Sequence, residues 1–385
     1  MTGTIRLPKR FVVFLTIFQT VLVVVHGFLF LTWVYFWAPH LQGEVGGYDF
    51  SPLSHWRLLI ALAILSVSFL VTSLIGFKLT NVVLRFVYRI TAVWLGFVNY
   101  AFFSSVLCWL IYLVVRLVGA RMERHYFAMG FLGLAVIVTT YGVINGEWTR
   151  VRRITVELPR LPESWRGRTA VLVSDVHLGN YRAFGFVRRI VRMVVALQPD
   201  VVLIAGDLYD GTPADLARLA EPLRLLKAPL GAFFVEGNHE EFSDRTKYLK
   251  AVAATGVRVL ENERLIVDGL QIVGVTYRDA THGEHFRKTL RRTGFDRGQA
   301  SILLTHAPDR VQVSAEEGIS LQLSGHTHHG QFWPWTLAAE RMYGKFVYGL
   351  QRLGEMQIYT STGAGTWGPP LRVGSRPEIV AIEFV

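Results

Sequence analysis

The chain has 385 residues, of which 51% are hydrophobic and 18% are charged, and its formal net charge is +11. This composition excludes a disordered or low-complexity protein. The single cysteine, Cys108, excludes a disulfide scaffold and a cysteine-rich zinc or iron–sulfur site. A basic chain often binds nucleic acid, but most of the excess charge lies in the apolar first part of the chain, so we expect no nucleic-acid partner.

Four long uncharged stretches lie within the first 149 residues. A helix needs about 20 apolar residues to cross the hydrocarbon core of a bilayer, and each stretch reaches that length. We therefore predict that residues 1–149 form a transmembrane module of four helices, at about 11–37, 57–77, 90–115 and 126–146. The first stretch is too long for the apolar region of a cleaved signal peptide.

Basic residues outside the predicted helices indicate the orientation of the chain. Because the number of helices is even, the N-terminus, the second loop and the C-terminal region lie on one side. That side carries Arg6, Lys9, Arg10, Lys78, Arg85, Arg89, Arg150, Arg152 and Arg153, and the opposite side carries Arg57, Arg116, Arg121 and Arg124. Positive charge favours the cytoplasmic side, so we predict a multi-pass protein of the inner membrane with its C-terminal domain in the cytoplasm.

Beyond residue 149, short β-rich segments alternate with amphipathic ones. We predict a tether and first strand at 150–168, and a separate domain over 169–385. Strands are predicted at 154–158, 169–174, 201–205, 232–236, 272–275, 301–305, 321–324, 356–359 and 378–384, and helices at 183–196, 213–226, 246–254, 285–292 and 308–316. The alternation predicts an α/β (α+β) sandwich of two mixed β-sheets flanked by helices, with functional residues at strand ends.

Residues of the types that bind metal ions follow five of these strands. They are Asp175-Val176-His177, Gly206-Asp207 with Asp210, Gly237-Asn238-His239-Glu240, His306-Ala307-Pro308 and Gly325-His326-Thr327-His328. Carboxylate and imidazole ligands suit Mn, Fe and Zn and, to a lesser degree, Mg. In an extended segment the first and third residues point to the same face. The glycines at 206, 237 and 325 would permit tight exits from the strands.

This pattern indicates a centre for two metal ions. Two ions about 3.5–4 Å apart need a bridging carboxylate and further ligands for each ion. Such a pair acidifies a bridging water and holds a phosphoryl group for in-line attack. Each motif alone is equally consistent with a turn or a solvated histidine. Their succession at five strand ends favours a shared site.

The ordered set Asp-x-His, Gly-Asp-x-x-Asp, Gly-Asn-His-Glu, His-x-Pro and Gly-His-Thr-His resembles the calcineurin-like metallophosphoesterase superfamily, over about residues 169–385. Segments 174–179, 366–372 and 376–379 are similar to a bacterial membrane-associated branch. That branch includes phosphoesterases of the cell envelope, one type of which cleaves UDP-2,3-diacylglucosamine in lipid A synthesis.

The resemblance implies a role for each motif residue. Asp175, His177 and His328 would hold one divalent ion, Asn238, His306 and His326 would hold a second, and Asp207 would bridge the two. His239 would stabilise charge on the substrate or protonate the leaving oxygen. Asp210 would orient His239 or another imidazole, and Glu240 would close the loop. The ions would be Mn, Fe or Zn, with Mg a weaker candidate.

Three more residues are predicted to contact substrate: Asn180, His329 and Trp333. His329 stands where this branch usually has glycine, and a solvated side chain is the other interpretation. Residues 331–350 are rich in aromatic side chains, which would pack in the core or form a rim that meets acyl chains or the membrane. Arg182, Arg188, Arg189 and Arg192 are assigned to a solvated helix face or to lipid headgroups.

Together these observations predict a membrane-anchored dinuclear phosphoesterase in which a metal-bridging hydroxide attacks a phosphoester or pyrophosphate. The predicted partners are the lipid bilayer and a phosphorylated amphiphilic substrate, lipid-linked or from the cell envelope. A UDP-diacylglucosamine-type pyrophosphate is the specific hypothesis, on the resemblance alone. Two alternatives are an enzyme for soluble nucleotide or peptidoglycan-related esters, and a non-catalytic membrane scaffold that binds phosphorylated ligands.

Overall fold

The structure is a computed structural model that describes residues 9–37, 55–120 and 122–385. Its residues form two compact units. One lies within residues 1–76 and 86–141, and the other lies within residues 77–85 and 142–385. The last turns of the fourth apolar helix therefore belong to the second unit. Arg6 and Arg121, which the predicted orientation uses, lie outside the described residues.

Four helices in the described part of the chain are long and apolar enough to cross a membrane. They span Lys9–Phe36, Trp56–Gly76, Val82–Leu117 and Arg124–Glu147. The third helix begins eight residues before its predicted start. Arg85 and Arg89 interrupt the uncharged stretch, but arginine is a good helix former and the backbone helix continues through both. An uncharged stretch therefore predicts where this helix is apolar, but it does not predict the residue at which the helix begins.

Within the described residues, the second unit contains twelve strands in two six-stranded mixed sheets. The first sheet has the order β1 (Arg150–Val156), β12 (Glu378–Phe384), β2 (Thr169–Val173), β3 (Val201–Ala205), β4 (Ala232–Val235) and β5 (Arg258–Val259). The second has the order β10 (Gly349–Leu353), β11 (Met356–Thr360), β9 (Leu321–Ser324), β8 (Ser301–Leu304), β7 (Leu270–Gly274) and β6 (Glu263–Val267). The predicted fold class is confirmed.

The main core lies between the two sheets. It combines side chains of β2 and β3 with those of β8 and β9, for example Leu172, Leu203, Ile302 and Leu323. A second core covers the outer face of the first sheet, and a third covers that of the second sheet. The central strands are therefore buried on both faces, which explains why β3 and β4 are apolar at every position. Strand β9 instead alternates leucine with the buried polar side chains of Gln322 and Ser324.

Helices and short 3-10 turns connect the strands. The helices are Phe184–Ala196, Leu216–Ala220, Arg245–Ala253, Tyr277–Ala280, Gly283–Arg292, Val311–Glu316 and Trp335–Tyr343, and the 3-10 turns are Glu163–Trp165, Glu221–Leu225, Glu240–Phe242, His328–Gly330 and Gly344–Val347. The helix predicted at 213–226 is shorter, because Asp215 caps a helix that begins at Leu216. From Glu221 the segment is a 3-10 turn that contains Pro222, whose missing N–H interrupts the helical hydrogen bonds.

Candidate metal centre

The loops after β2 and β3 run side by side beyond the end of the first sheet. The backbone N–H of Asp175 donates to the Gly206 carbonyl at 3.1 Å, and that of His177 donates to the Asp207 carbonyl at 3.0 Å. Parallel pairing therefore continues past the strands. It places Asp175, His177 and Asp207 together at one edge of the sheet.

The loops after β8 and β9 bring the second sheet to the same place. The N–H of Gly325 donates to the His306 carbonyl at 2.7 Å. The next N–H, that of His326, donates to the Asp175 carboxylate, with both oxygens at 3.1 Å. This contact joins the ends of the two sheets at the predicted ligands.

Asp175, His177 and His328 form the first ligand group, in which one potential ligand atom of each residue lies within 4.8 Å of the others. The Nε2 atoms of His177 and His328 are 3.0 Å apart. The His328 Nε2 atom is also 3.4 Å from Asp175 Oδ1. All three side chains are buried. Two ring nitrogens and a carboxylate oxygen that converge in this way could each bind a metal ion lying between them.

The second group consists of Asp207, His306 and His326. The Nε2 atom of His306 lies 3.2 Å from Asp207 Oδ2 and 3.1 Å from His326 Nδ1. The amide oxygen of Asn238 also lies 3.1 Å from His306 Nε2. Nitrogen, carboxylate and amide oxygen atoms therefore converge in the combination that the sequence predicts for the second ion.

Asp207 belongs to the second group and also faces a ligand of the first. Its Oδ2 atom is 3.2 Å from His306 Nε2 and 3.8 Å from His177 Nε2, so one oxygen faces ligands of both groups. Its Oδ1 atom accepts the N–H of His239 at 2.9 Å, which fixes the orientation of the carboxylate. This is the position that a bridging carboxylate requires.

Three of these groups have the protonation that metal binding requires. Burial and the charge of His306 lower the pKa of His326 to about 3, and burial together with the Arg372 guanidinium lowers the pKa of His328 well below its usual value. Burial would raise the pKa of Asp207, but His306 and His239 hold it well below the usual range. Neutral imidazoles and an ionised carboxylate are the forms that bind metal ions. Burial raises the pKa of Asp175. Burial would lower the pKa of His306, but Asp207 raises it to about 10, so an ion would have to displace a proton from His306.

The backbone at the ligands is not extended, so the predicted geometry of Asp-x-His and His-x-His is wrong. The φ angles are +51° at Asp175, +53° at His177, +72° at His326 and +49° at His328. These are left-handed conformations, which cost about 1–2 kcal/mol for residues other than glycine. The tight loops and the hydrogen bonds around them impose this conformation. Within each pair, both side chains still reach the site.

Only one of the three predicted glycine exits depends on a left-handed backbone. Gly206 has a φ of +78°. At Gly237 the reason is close approach, because a Cβ atom there would lie 2.1 Å from Asp207 Oδ1. At Gly325 a Cβ atom would lie 2.2 Å from Asp175 Oδ2. These two glycines leave room for the carboxylates of two predicted metal ligands.

His239 lies beside the two ligand groups. Its Nε2 atom is 3.9 Å from Asp207 Oδ2, and its Nδ1 atom is 3.2 Å from Asp210 Oδ1. The same Asp210 oxygen is 3.4 Å from Nδ1 of His177. Asp210 therefore faces both His239 and a predicted metal ligand, and the orienting role that the resemblance implies stays a prediction.

Glu240 holds the loop backbone. Its buried carboxylate accepts the N–H groups of Asp207 at 3.0 Å, Tyr209 at 2.9 Å and Gly237 at 2.7 Å. It thus connects the loops after β3 and β4. This is the loop-closing role that was expected for it.

Comparison with known proteins gives the same assignment. Residues 169–330 match the family model described as calcineurin-like phosphoesterase. A metallophosphoesterase of Campylobacter jejuni is 32% identical to this chain, over 74% of this chain and 79% of that protein. The chain belongs to the calcineurin-like metallophosphoesterase family. Its members hydrolyse phosphoesters with bound divalent metal ions, and the two ligand groups supply donors for such ions.

Two other relatives match this metallophosphoesterase over different shares of their own length. A transmembrane protein with a metallophosphoesterase domain from Danio rerio is 35% identical over 65% of this chain, and the match spans 61% of that protein, which is less than two thirds. A metallophosphoesterase of Aquifex aeolicus is 32% identical over 65% of this chain and 97% of that protein. The transmembrane relative and the four apolar helices indicate that this metallophosphoesterase associates with a membrane.

The three residues predicted to contact substrate have different environments. Asn180 is buried, and neither its amide nitrogen nor its amide oxygen has a hydrogen-bond partner within the part of the chain that the structure describes. His329 lies 3.1 Å from Glu340 and stacks on Tyr348, outside both ligand groups. Trp333 is exposed. The substrate contacts of these residues stay predictions.

Two buried arginines of the metallophosphoesterase domain were not identified from the sequence as part of the site. Arg372 donates to the carbonyl of His328 at 2.8 Å and contacts Nδ1 of its ring at 3.0 Å. Arg182 precedes the helix to whose solvated face it was assigned, so that assignment is wrong. Its guanidinium is buried against the Gly146 carbonyl and the Thr366 hydroxyl. Arginine is rarely buried, and no hydrophobic or charge pattern in the sequence predicted burial at either position.

Proposed function

We propose that this metallophosphoesterase is a membrane-anchored enzyme that uses two divalent ions to hydrolyse a phosphoester or pyrophosphate of an amphiphilic, lipid-linked or cell-envelope substrate. The observation that carries the proposal is the position of Asp207, whose Oδ2 atom faces both His177 and His306. One carboxylate oxygen between two ligand groups is the arrangement expected for a pair of ions. Mn, Fe and Zn suit the mixed nitrogen and oxygen ligands best.

When bound, the ions would hold the phosphoryl group and supply an acidified water as nucleophile. Asp175, His177 and His328 would bind one ion, and His306, His326 and Asn238 the other. His239 is placed to hold a proton on Nε2 for the leaving oxygen, while its Nδ1 faces Asp210 at 3.2 Å. Asp210 would keep the imidazole in that orientation.

Membrane anchoring and sidedness complete the proposal. Four helices have the length and composition of membrane spans, and the excess of basic residues on one side favours a cytoplasmic catalytic domain at the inner membrane. A domain held at the membrane reaches phosphates of lipid headgroups more readily than a freely diffusing enzyme does. The bilayer and a phosphorylated amphiphile are therefore the proposed partners.

Hydrolysis by the purified full chain tests the catalytic part. With Mn²⁺ we expect turnover of bis-p-nitrophenyl phosphate and of a lipid pyrophosphate such as UDP-2,3-diacylglucosamine. Asp207→Asn should reduce both rates by more than about 100-fold, because ligand loss exceeds the usual effect of residues around a metal site. Glu355→Gln, at an exposed position in the turn between β10 and β11, is the matched control and should retain activity.

The results separate the alternatives. Turnover of soluble esters without any lipid substrate would favour the soluble-substrate enzyme. Absence of turnover with every substrate, despite bound Mn²⁺, would favour the scaffold. Cleavage of a C-terminal tag by protease added outside intact cells would contradict the cytoplasmic orientation.

A further inference from the structure

The last turns of the fourth apolar helix belong to the second unit, here called the catalytic unit, and are hydrogen-bonded to another segment of that unit. The N–H of Arg372 donates to the Gly142 carbonyl at 2.9 Å. The Asn145 amide donates to the carbonyls of Arg372 at 2.9 Å and Ser375 at 3.1 Å. A Cβ atom at Gly146 would lie 2.8 Å from the Pro370 carbonyl, so the two backbones are in close contact. Residues 370–375 therefore lie where this helix ends.

The same segment contacts the start of the helix Trp335–Tyr343. The N–H of Trp333 donates to the Val373 carbonyl at 2.8 Å, and Phe332 forms β-bridges with Val373 and Gly374. A Cβ atom at Gly374 would lie 3.3 Å from the Thr336 side chain. Residues 370–375 therefore contact the end of the fourth apolar helix on one side and residues 332–336 on the other.

Large apolar side chains are exposed in and just before the helix Trp335–Tyr343. The exposed fractions are 45% for Trp333, 53% for Trp335, 55% for Leu337 and 75% for Met342. We call these four residues the apolar surface. Arg341 and Lys345 are exposed beside them, as is Glu340, which lies 3.1 Å from His329, whereas Thr336 is buried in the same helix. Exposed tryptophans and aliphatic side chains with cations beside them are typical of segments that lie in the membrane interface.

We propose that the apolar surface lies in the headgroup region of the bilayer that anchors the chain. The fourth apolar helix has 24 residues, and at about 1.5 Å per residue it is slightly longer than the ~30 Å hydrocarbon core. Its last residues, and the segment 370–375 bonded to them, therefore reach the headgroups. The proposal rests on the membrane anchoring in the proposed function and adds a second, interfacial contact of the catalytic unit.

Trp367 extends this surface to the metal centre. Its backbone N–H donates to the Gln331 side chain at 2.8 Å, and Gln331 donates to the Trp367 carbonyl at 2.9 Å. Its half-exposed ring lies 5.7 Å from the ring of His239, which Phe242 contacts from 4.5 Å. The apolar part of a membrane amphiphile would pass along Trp367, while its phosphate reaches the ligand groups. The leaving group would then lie on the side of His239.

Quenching by labelled lipid tests the docking directly. In a full chain with Cys108→Ala, an environment-sensitive fluorophore is attached at Leu337→Cys or Met342→Cys, and the protein is reconstituted in phosphatidylcholine and phosphatidylglycerol vesicles. The control is Ile266→Cys, which is also exposed but lies on β6, at the sheet edge opposite β10. We expect lipid with a nitroxide near the headgroup to quench labels 337 and 342 at least about twofold more than label 266. Equal quenching at the three positions would overturn the proposal.

A charge variant tests its functional consequence. Leu337→Glu with Met342→Glu places two acidic groups on the apolar surface and should reduce hydrolysis of lipid pyrophosphate in vesicles by about tenfold, since burial of a charge in the interface is unfavourable. Hydrolysis of soluble bis-p-nitrophenyl phosphate should be unchanged, because neither residue belongs to the ligand groups. Unchanged lipid hydrolysis would contradict the docking, whereas absence of soluble turnover in the unmodified chain would contradict the proposed function itself.

Discussion

Two glycines make room for the metal-binding carboxylates, and this gives them a role different from that of most loop glycines. A side chain at Gly237 would collide with Asp207, and one at Gly325 would collide with Asp175. Neither glycine has a positive φ angle, so backbone conformation does not require glycine at these positions. Their requirement is spatial. It exists only because loops from separate strands meet at the site.

Gly237→Ala should therefore weaken metal binding while the protein still folds. The new methyl group would displace the Asp207 carboxylate, and we expect a loss of about 10- to 100-fold in Mn²⁺ affinity, as for other residues that support metal ligands. Metal titration of the purified full chain measures it. Gly185→Ala is the control, because Gly185 lies in an exposed part of a helix and a Cβ atom there has no neighbour within 4 Å. An affinity equal to that of the control would contradict the expectation.

Buried polar residues show where reasoning from single residues fails. Arg182 and Arg372 are both almost fully buried, although arginine is usually exposed. Arg372 is compensated by the carbonyls of His328, Thr362 and Gly365, which come from two loops. A local sequence pattern does not reveal acceptors so far along the chain. The signal for Arg372 was its place in the segment 366–372 that the family resemblance already included.

At the scale of secondary structure, strand ends determine the site. Residues after β2, β3 and β4 of one sheet meet residues after β8 and β9 of the other, because parallel strands present their carboxyl ends at a common edge. Strands β3 and β4 were predictable because they are continuous apolar segments, and β2 and β8 because they are apolar after a single polar first residue. The edge strand β1 was harder: it begins at Arg150 and contains three arginines, and its parallel pairing with β12 defines it.

An ion cluster connects the helix Gly283–Arg292 to the end of the helix Val311–Glu316. The buried Glu317 carboxylate accepts hydrogen bonds from Arg287 at 3.0 Å, from Arg291 at 2.8 Å and from Arg297. Burial would raise the pKa of Glu317, but the three guanidinium groups lower it to about 2. Because the pKa is lowered on folding, the ionised carboxylate stabilises the fold at neutral pH. That contribution is lost as pH falls from about 4.5 to about 2.

Glu317→Gln should lower the free energy of unfolding of the catalytic unit by about 2 kcal/mol at pH 7. The difference from the unmodified chain should shrink as pH falls below about 4.5, because the carboxylate is then protonated in the unfolded chain, and it should vanish below about 2, where the carboxylate is neutral in both states. Pulse proteolysis in urea across this pH range measures both effects. Glu284→Gln is the control. Glu284 is exposed, and its Oε1 atom lies 3.6 Å from Arg287 Nε, so this ion pair contributes little and little change is expected. A difference that stays constant with pH would contradict the assignment.

At the scale of the whole molecule, the metal centre joins loops from both sheets of the catalytic unit. Its ligands come from residues 175 to 328, and Asp207 faces both ligand groups. Bound ions therefore connect segments that are far apart in sequence. A ligand that binds only the folded state stabilises it by about 2.7 kcal/mol at a concentration of 100 times its dissociation constant.

Removal of metal should lower the melting temperature of the catalytic unit by several degrees, and Mn²⁺ should restore it. The physical reason is that ions bound only by the folded state stabilise it, and the side chains of the two ligand groups would lose the cations that hold them together. Differential scanning calorimetry of the full chain in detergent, first with a chelator and then with added Mn²⁺, measures the two melting temperatures. Asp207→Asn should show little response to either. An equal response in this variant would mean that the ions bind elsewhere.

The four apolar helices, most central strands and the order of the ligand motifs could be predicted from the amino-acid sequence, because they depend on local composition, periodicity and spacing. The folded structure was needed to show which glycines must be small, how left-handed backbone orients the ligands, and which arginines are buried. It also shows that the end of the fourth apolar helix is bonded to residues 370–375. These features depend on contacts between segments far apart in the chain, and local sequence preferences carry no information about distant neighbours.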